Sequence, residues 1–181
     1  MPRDARLPFD PIARAADLWH ARWGEGSRAQ SMATATSLMR VQQLLLSRFD
    51  AVAARHGLTF ARYEALVLLA FSRRGRLSMS RIGERLMVHP TSATNIVQRL
   101  AAQGHVLRVA DEADRRVTLV EITDAGRSAM EAVTADLEAA DFGLAALDEQ
   151  EHAVLFGLLR AVRVAAGDFD DAPTEDAPGG R

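Results

Sequence analysis

SRIGERLMVHPTSATNIVQRL, residues 80–100, decides the fold because it holds two short helical patterns on either side of a tight turn. Ser78 is a typical N-cap for the first helix, which we predict to end at Leu86. Residues 87–89 form the turn, and Pro90 suits the first position of the second helix because its missing N–H needs no partner there. Two helices joined in this way indicate a helix-turn-helix of about 20 residues.

The second of these helices has an apolar side and an uncharged polar side. We expect Val88, Ala93 and Ile96 to face the first helix, with the small Gly83 where the two helices cross. The outer side carries hydroxyl and amide groups with one arginine, and such groups reach base edges and phosphates in the major groove of DNA. The predicted reading face consists of Thr91, Ser92, Thr94, Asn95, Gln98 and Arg99.

Two short β-rich runs follow, VLRVA at residues 106–110 and VTLVEI at residues 117–122, and DEADRR joins them. This pattern predicts a hairpin with a charged tip. Arg115 and Arg116 at the tip suit a minor groove, where the potential of DNA is most negative. Asp114 can pair with an arginine and fix its direction. The hairpin therefore supports the DNA interpretation of the helix before it.

Charge is distributed unevenly along the chain, although its net value at pH 7 is only −2. Residues 73–127 carry ten arginines and six acids, whereas residues 128–181 carry three arginines and twelve acids. A basic middle beside an acidic end indicates an anionic partner for the middle. The run RRGR at residues 73–76, with Arg74 as its main candidate, is predicted to contact DNA phosphates.

The spacing of apolar residues predicts further amphipathic helices on both sides of this region. Asp148 and Glu151 have the spacing of a capping box at the start of the last helix. The predicted starts or ranges are Pro11, residues 30–56, residues 60–72, Thr123 and Asp148.

The sequence lacks the residues or motifs that several classes of functional site require. Cysteine is absent, and no two of the five histidines have the spacing of a helical metal site, so we expect neither a disulfide nor a metal site. No glycine-rich phosphate loop, G-x-S-x-G or H-E-x-x-H motif occurs, so we expect no catalytic residues, no cofactor and no enzyme activity. No apolar run approaches 18 residues and no secretory signal begins the chain, which predicts a cytoplasmic protein that does not enter a membrane.

The run DRRVTLVEITDAG, residues 114–126, resembles the wing signature of the MarR family of winged-helix transcription regulators. With the helices around it, the resemblance covers about residues 30–166. It implies a homodimer that reads a pseudo-palindromic operator in double-stranded DNA and responds to a small aromatic or phenolic ligand. By position, Arg116 matches the wing-tip arginine and Asp114 its partner. Met87 departs from the glycine often found in this turn.

Some members of this family have an extra N-terminal helix, and a urate-sensing branch is among them. That branch places a tryptophan, an acidic residue and an arginine of the recognition helix around its ligand. Ile96 stands at the position of that arginine, which argues against urate. The candidate ligand-binding residues are Trp19, Trp23, Arg40, Tyr63 and Glu64, although the tryptophans and Tyr63 also suit simple packing roles.

These patterns together predict a mainly α protein with a small β-hairpin: a winged helix-turn-helix domain plus a helical dimerisation region. The leading function is a ligand-responsive, DNA-binding repressor, and the alternative is a winged-helix protein that acts through protein-protein interaction by its acidic tail. The predicted division is an N-terminal extension with a short helix at residues 1–28, a dimerisation region at residues 30–57 and 123–166, a DNA-binding domain at residues 58–122 and a disordered acidic tail at residues 167–181.

Overall fold

The computed structural model describes residues 7–111, 114 and 117–169. The predictions for Arg115, Arg116 and residues 170–181 of the tail fall outside the described residues. The elements are α1 (Pro11–Trp23), α2 (Ala29–Arg55), α3 (Phe60–Ala70), β1 (Arg76–Ser78), α4 (Met79–Arg85), α5 (Pro90–Ala102), β2 (Val106–Ala110), β3 (Thr118–Ile122), α6 (Asp124–Ala139), a short 3-10 helix (Asp141–Gly143) and α7 (Glu149–Ala165). They form two compact units, one ending at Gly143 and the other beginning at Leu144.

Several helices begin where the sequence predicts them to begin, because side-chain caps satisfy their first free N–H groups. Ser78 accepts a hydrogen bond from the N–H of Arg81 at the start of α4. Pro90 occupies the first turn of α5, as predicted. Asp148 and Glu151 form the predicted capping box of α7. Local side-chain chemistry therefore sets these boundaries.

The sheet has three strands rather than two. All strands are antiparallel, in the order β1-β3-β2, with Leu77 of β1 paired to Val120 and Arg108 of β2 paired to the same residue from the other side. The predicted hairpin is confirmed, but the prediction of a hairpin alone missed β1. Three residues are too short to show a period of two, so only pairing with β3 reveals this strand.

One core supports the helix-turn-helix and the sheet. Its largest fully buried side chains come from α3, α4, α5, β2, β3 and α6, and burial of each contributes about 1.5–3 kcal/mol to stability. Ala93, Val97 and Leu100 bury one side of α5 against this core. The fully buried large side chains are Leu66, Leu69, Ile82, Val97, Leu100, Val106, Val120, Val133 and Leu137.

The long outer helices leave apolar side chains exposed. No residue of α1 or α7 is buried, and in α2 only Ala53 is buried. Val154, Leu158 and Val162 on α7 are all more than half exposed. Exposed apolar faces of this extent mark interaction surfaces in many proteins. None of the helices in the described ranges combines the length and apolarity that a membrane crossing requires.

Candidate nucleic-acid interface

The outer side of α5 presents the predicted polar face. Five of the six predicted side chains are exposed, and Thr94 is half-buried. The hydroxyl of Thr94 donates a hydrogen bond of 2.9 Å to the carbonyl oxygen of Pro90, within the helix itself. Thr94 is therefore less available to a partner than its neighbour Asn95. The exposed members are Thr91, Ser92, Asn95, Gln98 and Arg99.

A close crossing of α4 and α5 holds this face in place. Gly83 is buried, and a Cβ atom built on it would lie 3.7 Å from the Cβ of Ala93 and 3.8 Å from the carbonyl oxygen of Val88. These are ordinary contact distances, so the crossing has room for one methyl group and little more. Of the three predicted contacts, Ala93 and Val88 lie at the crossing, and Ile96 packs against the core, half-buried.

The turn between these helices has a left-handed residue. Met87 has φ 52° and is 78% exposed. Left-handed backbone is easy for glycine and costs another residue about 1–2 kcal/mol. Met87 therefore adopts a turn conformation that a glycine would adopt at lower cost. The N–H of Met87 donates to the carbonyl oxygen of Glu84, and the N–H of Val88 donates to the carbonyl oxygen of Gly83, which closes the turn.

The wing extends beyond the paired strands toward its tip. The N–H of Asp111 donates to the carbonyl oxygen of Val117 over 3.0 Å. The N–H of Val117 donates to the carbonyl oxygen of Asp114 over 2.9 Å. Asp114 therefore lies at the turn, as predicted. Its predicted pairing with an arginine of the tip stays a prediction, because both arginines lie outside the described residues.

A single residue, Thr123, separates β3 from α6. Its N–H donates to the carbonyl oxygen of His105, and its hydroxyl donates to that of Gly104 over 2.8 Å. Gly126 sits against this junction so closely that a Cβ atom would lie 2.2 Å from the carbonyl oxygen of His105. The end of α5, the base of the wing and the start of α6 are thus joined at one point. This contact explains why glycine stands at the end of the run from Asp114 to Gly126.

Basic side chains lie next to the helix-turn-helix. Arg74 is exposed in the turn between α3 and β1, as is Arg73. Arg81 and Arg85, which were not predicted as site residues, are exposed on α4 and lie four residues apart on one face of that helix. That spacing was the available signal, and both residues are further candidates for phosphate contacts.

The five predicted ligand residues lie on three helices, α1, α2 and α3. Trp19 and Trp23 on α1 pack against each other at a tilt of 45° with ring centroids 4.4 Å apart, and both are exposed. Arg40 on α2 is exposed and donates to Gln43 Oε1 over 3.4 Å. Within the described part of the chain, no hydrogen bond or ring contact links the tryptophans to Tyr63 or Glu64. A shared ligand site of these five residues therefore stays a prediction.

Tyr63 instead lines a cavity of about 600 Å³ between α3 and α6. Its ring is 7% exposed, and its hydroxyl lies 3.0 Å from Thr134 Oγ1. Glu64 points to the exposed side of α3, where partial burial by neighbouring atoms raises the pKa of its carboxyl group. The residues lining the cavity are Tyr63, Val67, Phe71, Met130, Glu131, Thr134, Ala135, Glu138 and Phe142.

Comparison with known proteins matches this chain to the MarR family both in sequence and in structure. A sequence profile of the MarR family matches residues 56–117. Sco5413, a MarR family transcriptional regulator from Streptomyces coelicolor, is 58% identical, and its crystal structure superposes with a TM-score of 0.72 over 78% of this chain and 99% of that chain.

Two further relatives are more distant. The transcriptional regulator TtmR from Methylorubrum extorquens is 38% identical over 79 residues, which are 44% of this chain and 40% of that relative, so the chain spans less than half its length. PcaV from Streptomyces coelicolor, a transcriptional regulator solved in complex with its natural ligand, is 26% identical with a TM-score of 0.59 over 74% of this chain and 92% of that chain.

Proposed function

This chain belongs to the MarR family of winged helix-turn-helix transcriptional regulators, and we propose on that basis that it is a repressor that binds its operator as a homodimer. A small aromatic or phenolic ligand releases it from DNA. The exposed polar face of α5 is the main support for this proposal. Its hydroxyl, amide and guanidinium groups can form hydrogen bonds with base edges, and the buried side of α5 holds the helix in place.

In this proposal, side-chain chemistry determines which residues contact base edges and which contact phosphates. Asn95 and Gln98 suit base edges, since an amide can donate and accept at once. Arg74, together with Arg81 and Arg85, suits phosphates, which fix orientation without reading sequence. Arg115 and Arg116 of the wing enter the adjacent minor groove in this proposal, and Asp114 orients one of them.

The homodimer is supported by the exposed apolar faces of the outer helices. Leu18 of α1, Leu38 and Val41 of α2 and Leu158 of α7 are 62%, 37%, 44% and 63% exposed. A second copy of the chain would cover such faces in a two-fold interface. The dimer then presents two copies of α5 to half-sites about 34–36 Å apart, which is one turn of DNA.

The ligand response is supported by the position of the cavity. Its volume falls within the range of roughly 300–1,000 Å³ that small-molecule sites occupy. Helix α3 lines it with Tyr63 and Val67 and also packs against α5 on the core side. A ligand that shifts α3 would therefore shift the reading helix. PcaV, which has a natural ligand, offers a precedent within the same fold.

The first experiment is a fluorescence-anisotropy titration of the full chain with labelled DNA from upstream of its own gene, over a series of salt concentrations. We expect tight binding that weakens steeply with salt, because phosphate contacts release counterions. Aromatic and phenolic compounds are then added to the complex. Equal affinity for unrelated DNA would contradict the proposal and favour the alternative, in which the acidic tail recruits a protein.

A further inference from the structure

The cavity between α3 and α6 has apolar and aromatic walls. Val67, Met130 and Ala135 supply aliphatic surface, and the rings of Phe71 and Phe142 flank it. The hydroxyl groups of Tyr63 and Thr134 in its wall already have hydrogen-bond partners, because they lie 3.0 Å apart and the hydroxyl of Thr134 also lies 3.0 Å from the carbonyl oxygen of Met130. The walls therefore suit a hydrophobic ligand body and leave recognition of polar groups to the rim.

The charged groups of the lining all have one sign. Glu131 and Glu138 both line the cavity and are both exposed. They are seven residues apart on α6, so they lie on one face about two turns, or roughly 10 Å, apart. Among the described residues, no ion pair includes either carboxylate, and no arginine or histidine lines the cavity.

We propose that the effector bound in this cavity is an amphiphilic cation: an aromatic body that carries an ammonium or amidinium group. This inference rests on the proposed ligand response and names the chemical class of its ligand. The two carboxylates attract a cation, and the lining aromatic side chains Phe71, Phe142 and Tyr63 suit an aromatic ligand body. The aromatic body displaces water from the apolar walls.

The same arrangement disfavours carboxylate ligands, including phenolic acids. An anion in this cavity would lie near two negative charges, and no positive side chain of the lining would offset them. At the rim of a protein each glutamate contributes about a threefold preference for a cation over a neutral ligand at low salt, or about tenfold for the pair. The preference over an anion of equal size is therefore about a hundredfold.

Three probes with one body test the charge preference: 2-naphthylmethylammonium, 2-naphthylmethanol and 2-naphthoate. Each is titrated calorimetrically into the full chain at low salt. We expect the ammonium to bind about tenfold more tightly than the alcohol, and the carboxylate to bind most weakly. The preference should shrink as salt is added, because both glutamates are exposed.

Matched variants assign the preference to the cavity. Glu131→Gln and Glu138→Gln should each lower the ammonium preference about threefold, and the double variant should abolish it. Glu25→Gln, which removes an exposed glutamate from the loop between α1 and α2, should leave the preference unchanged. Ala135→Trp places a large ring into the cavity from an exposed helix position and should weaken all three probes.

The outcomes separate this inference from the proposed function. Tighter binding of 2-naphthoate that Ala135→Trp abolishes would overturn the charge preference and leave a ligand-responsive cavity in place. An ammonium preference that survives the double glutamine variant would also overturn it. If none of the probes binds, the inference fails, whereas operator binding by the same preparation and its release by an aromatic or phenolic compound would leave the proposed function standing.

Discussion

At the scale of single residues, two glycines that look alike in the sequence have different neighbours. Gly126 abuts the carbonyl oxygen of His105, whereas Gly83 meets Ala93 at an ordinary contact distance. The sequence places both in helices, and the need for a small residue at the helix crossing was predicted. The collision at Gly126 could not be predicted, because it depends on a backbone atom 21 residues earlier in the chain.

We therefore expect stability losses of different size from two alanine substitutions. Gly126→Ala should lower the free energy of unfolding by about 1–3 kcal/mol or more, because backbone must move to make room. Gly83→Ala should change it by less than about 1 kcal/mol, since better helix propensity offsets the tight fit. Urea denaturation followed by circular dichroism measures both. Equal losses in the two variants would contradict this account of the junction.

The reading face makes a second prediction at this scale. Asn95→Ala should reduce discrimination between the operator and a single-base variant by about 1–3 kcal/mol, because an amide that reads a base edge is lost. Arg116→Ala should instead weaken binding to all DNA and reduce the salt dependence. Anisotropy titrations on both sequences measure the difference. Unchanged operator affinity in both variants would mean that the reading surface lies elsewhere.

At the scale of elements, helices and strands of five residues or more were predictable, and the three-residue strand β1 was not. The amphipathic spacing of α2 and the first residues of α5 and α6 predicted the positions of these helices to within a few residues. β1 was missed, although it completes the sheet. Its three residues become a strand only because β3 offers them hydrogen-bonding partners, and single-sequence periodicity does not report tertiary pairing.

A carboxylate on α6 ties that helix to the end of α2. Asp136 Oδ2 lies 2.7 Å from His56 Nε2 and 3.1 Å from Arg55 Nη2. The hydrogen bond with His56, followed by the charge of Arg55, lowers the pKa of the Asp136 carboxyl group. Eighty residues separate Asp136 from His56, so no local pattern announces this contact.

This contact makes stability depend on pH. A carboxyl group whose pKa is lower in the folded chain stabilises the fold above its unfolded-state pKa, and the contribution disappears as the pH falls through the folded-state pKa. We expect Asp136→Asn to lower the free energy of unfolding near neutral pH. The difference from the parent chain should shrink below about pH 4. Urea titrations across this range measure it, and a constant difference would contradict the role of ionised Asp136.

At the scale of the whole molecule, the exposed apolar faces were anticipated as helical stripes, but their exposure is visible only in the structure. Periodicity predicts that a stripe is buried and does not tell whether the same chain or another copy covers it. The proposed division into dimerisation and DNA-binding regions is a functional one and stays a prediction. A measurement of mass in solution is therefore more informative than any further pattern.

Leu158 and Leu107 provide a matched pair for that measurement, since they are 63% and 57% exposed. Light scattering of the parent chain should give about twice 19.7 kDa. Leu158→Glu on α7 should lower the mass toward that of one chain, because burying an unpaired charge in an interface is costly. Leu107→Glu on the wing should keep the higher mass. If only Leu107→Glu lowers the mass, the dimer interface lies on the wing and not on α7, and the proposal is contradicted.

The one-residue junction at Thr123 has a mechanical consequence for the length of the operator. With no loop between β3 and α6, and with Thr123 fastened to Gly104 and His105, the wing cannot swing independently of a 16-residue helix. The wing and α6 therefore form one stiff unit. An operator with one extra base pair between its half-sites has to be twisted or bent to fit the protein. We expect such an insertion to weaken binding more than a mismatch in either half-site, because the strain falls on the DNA.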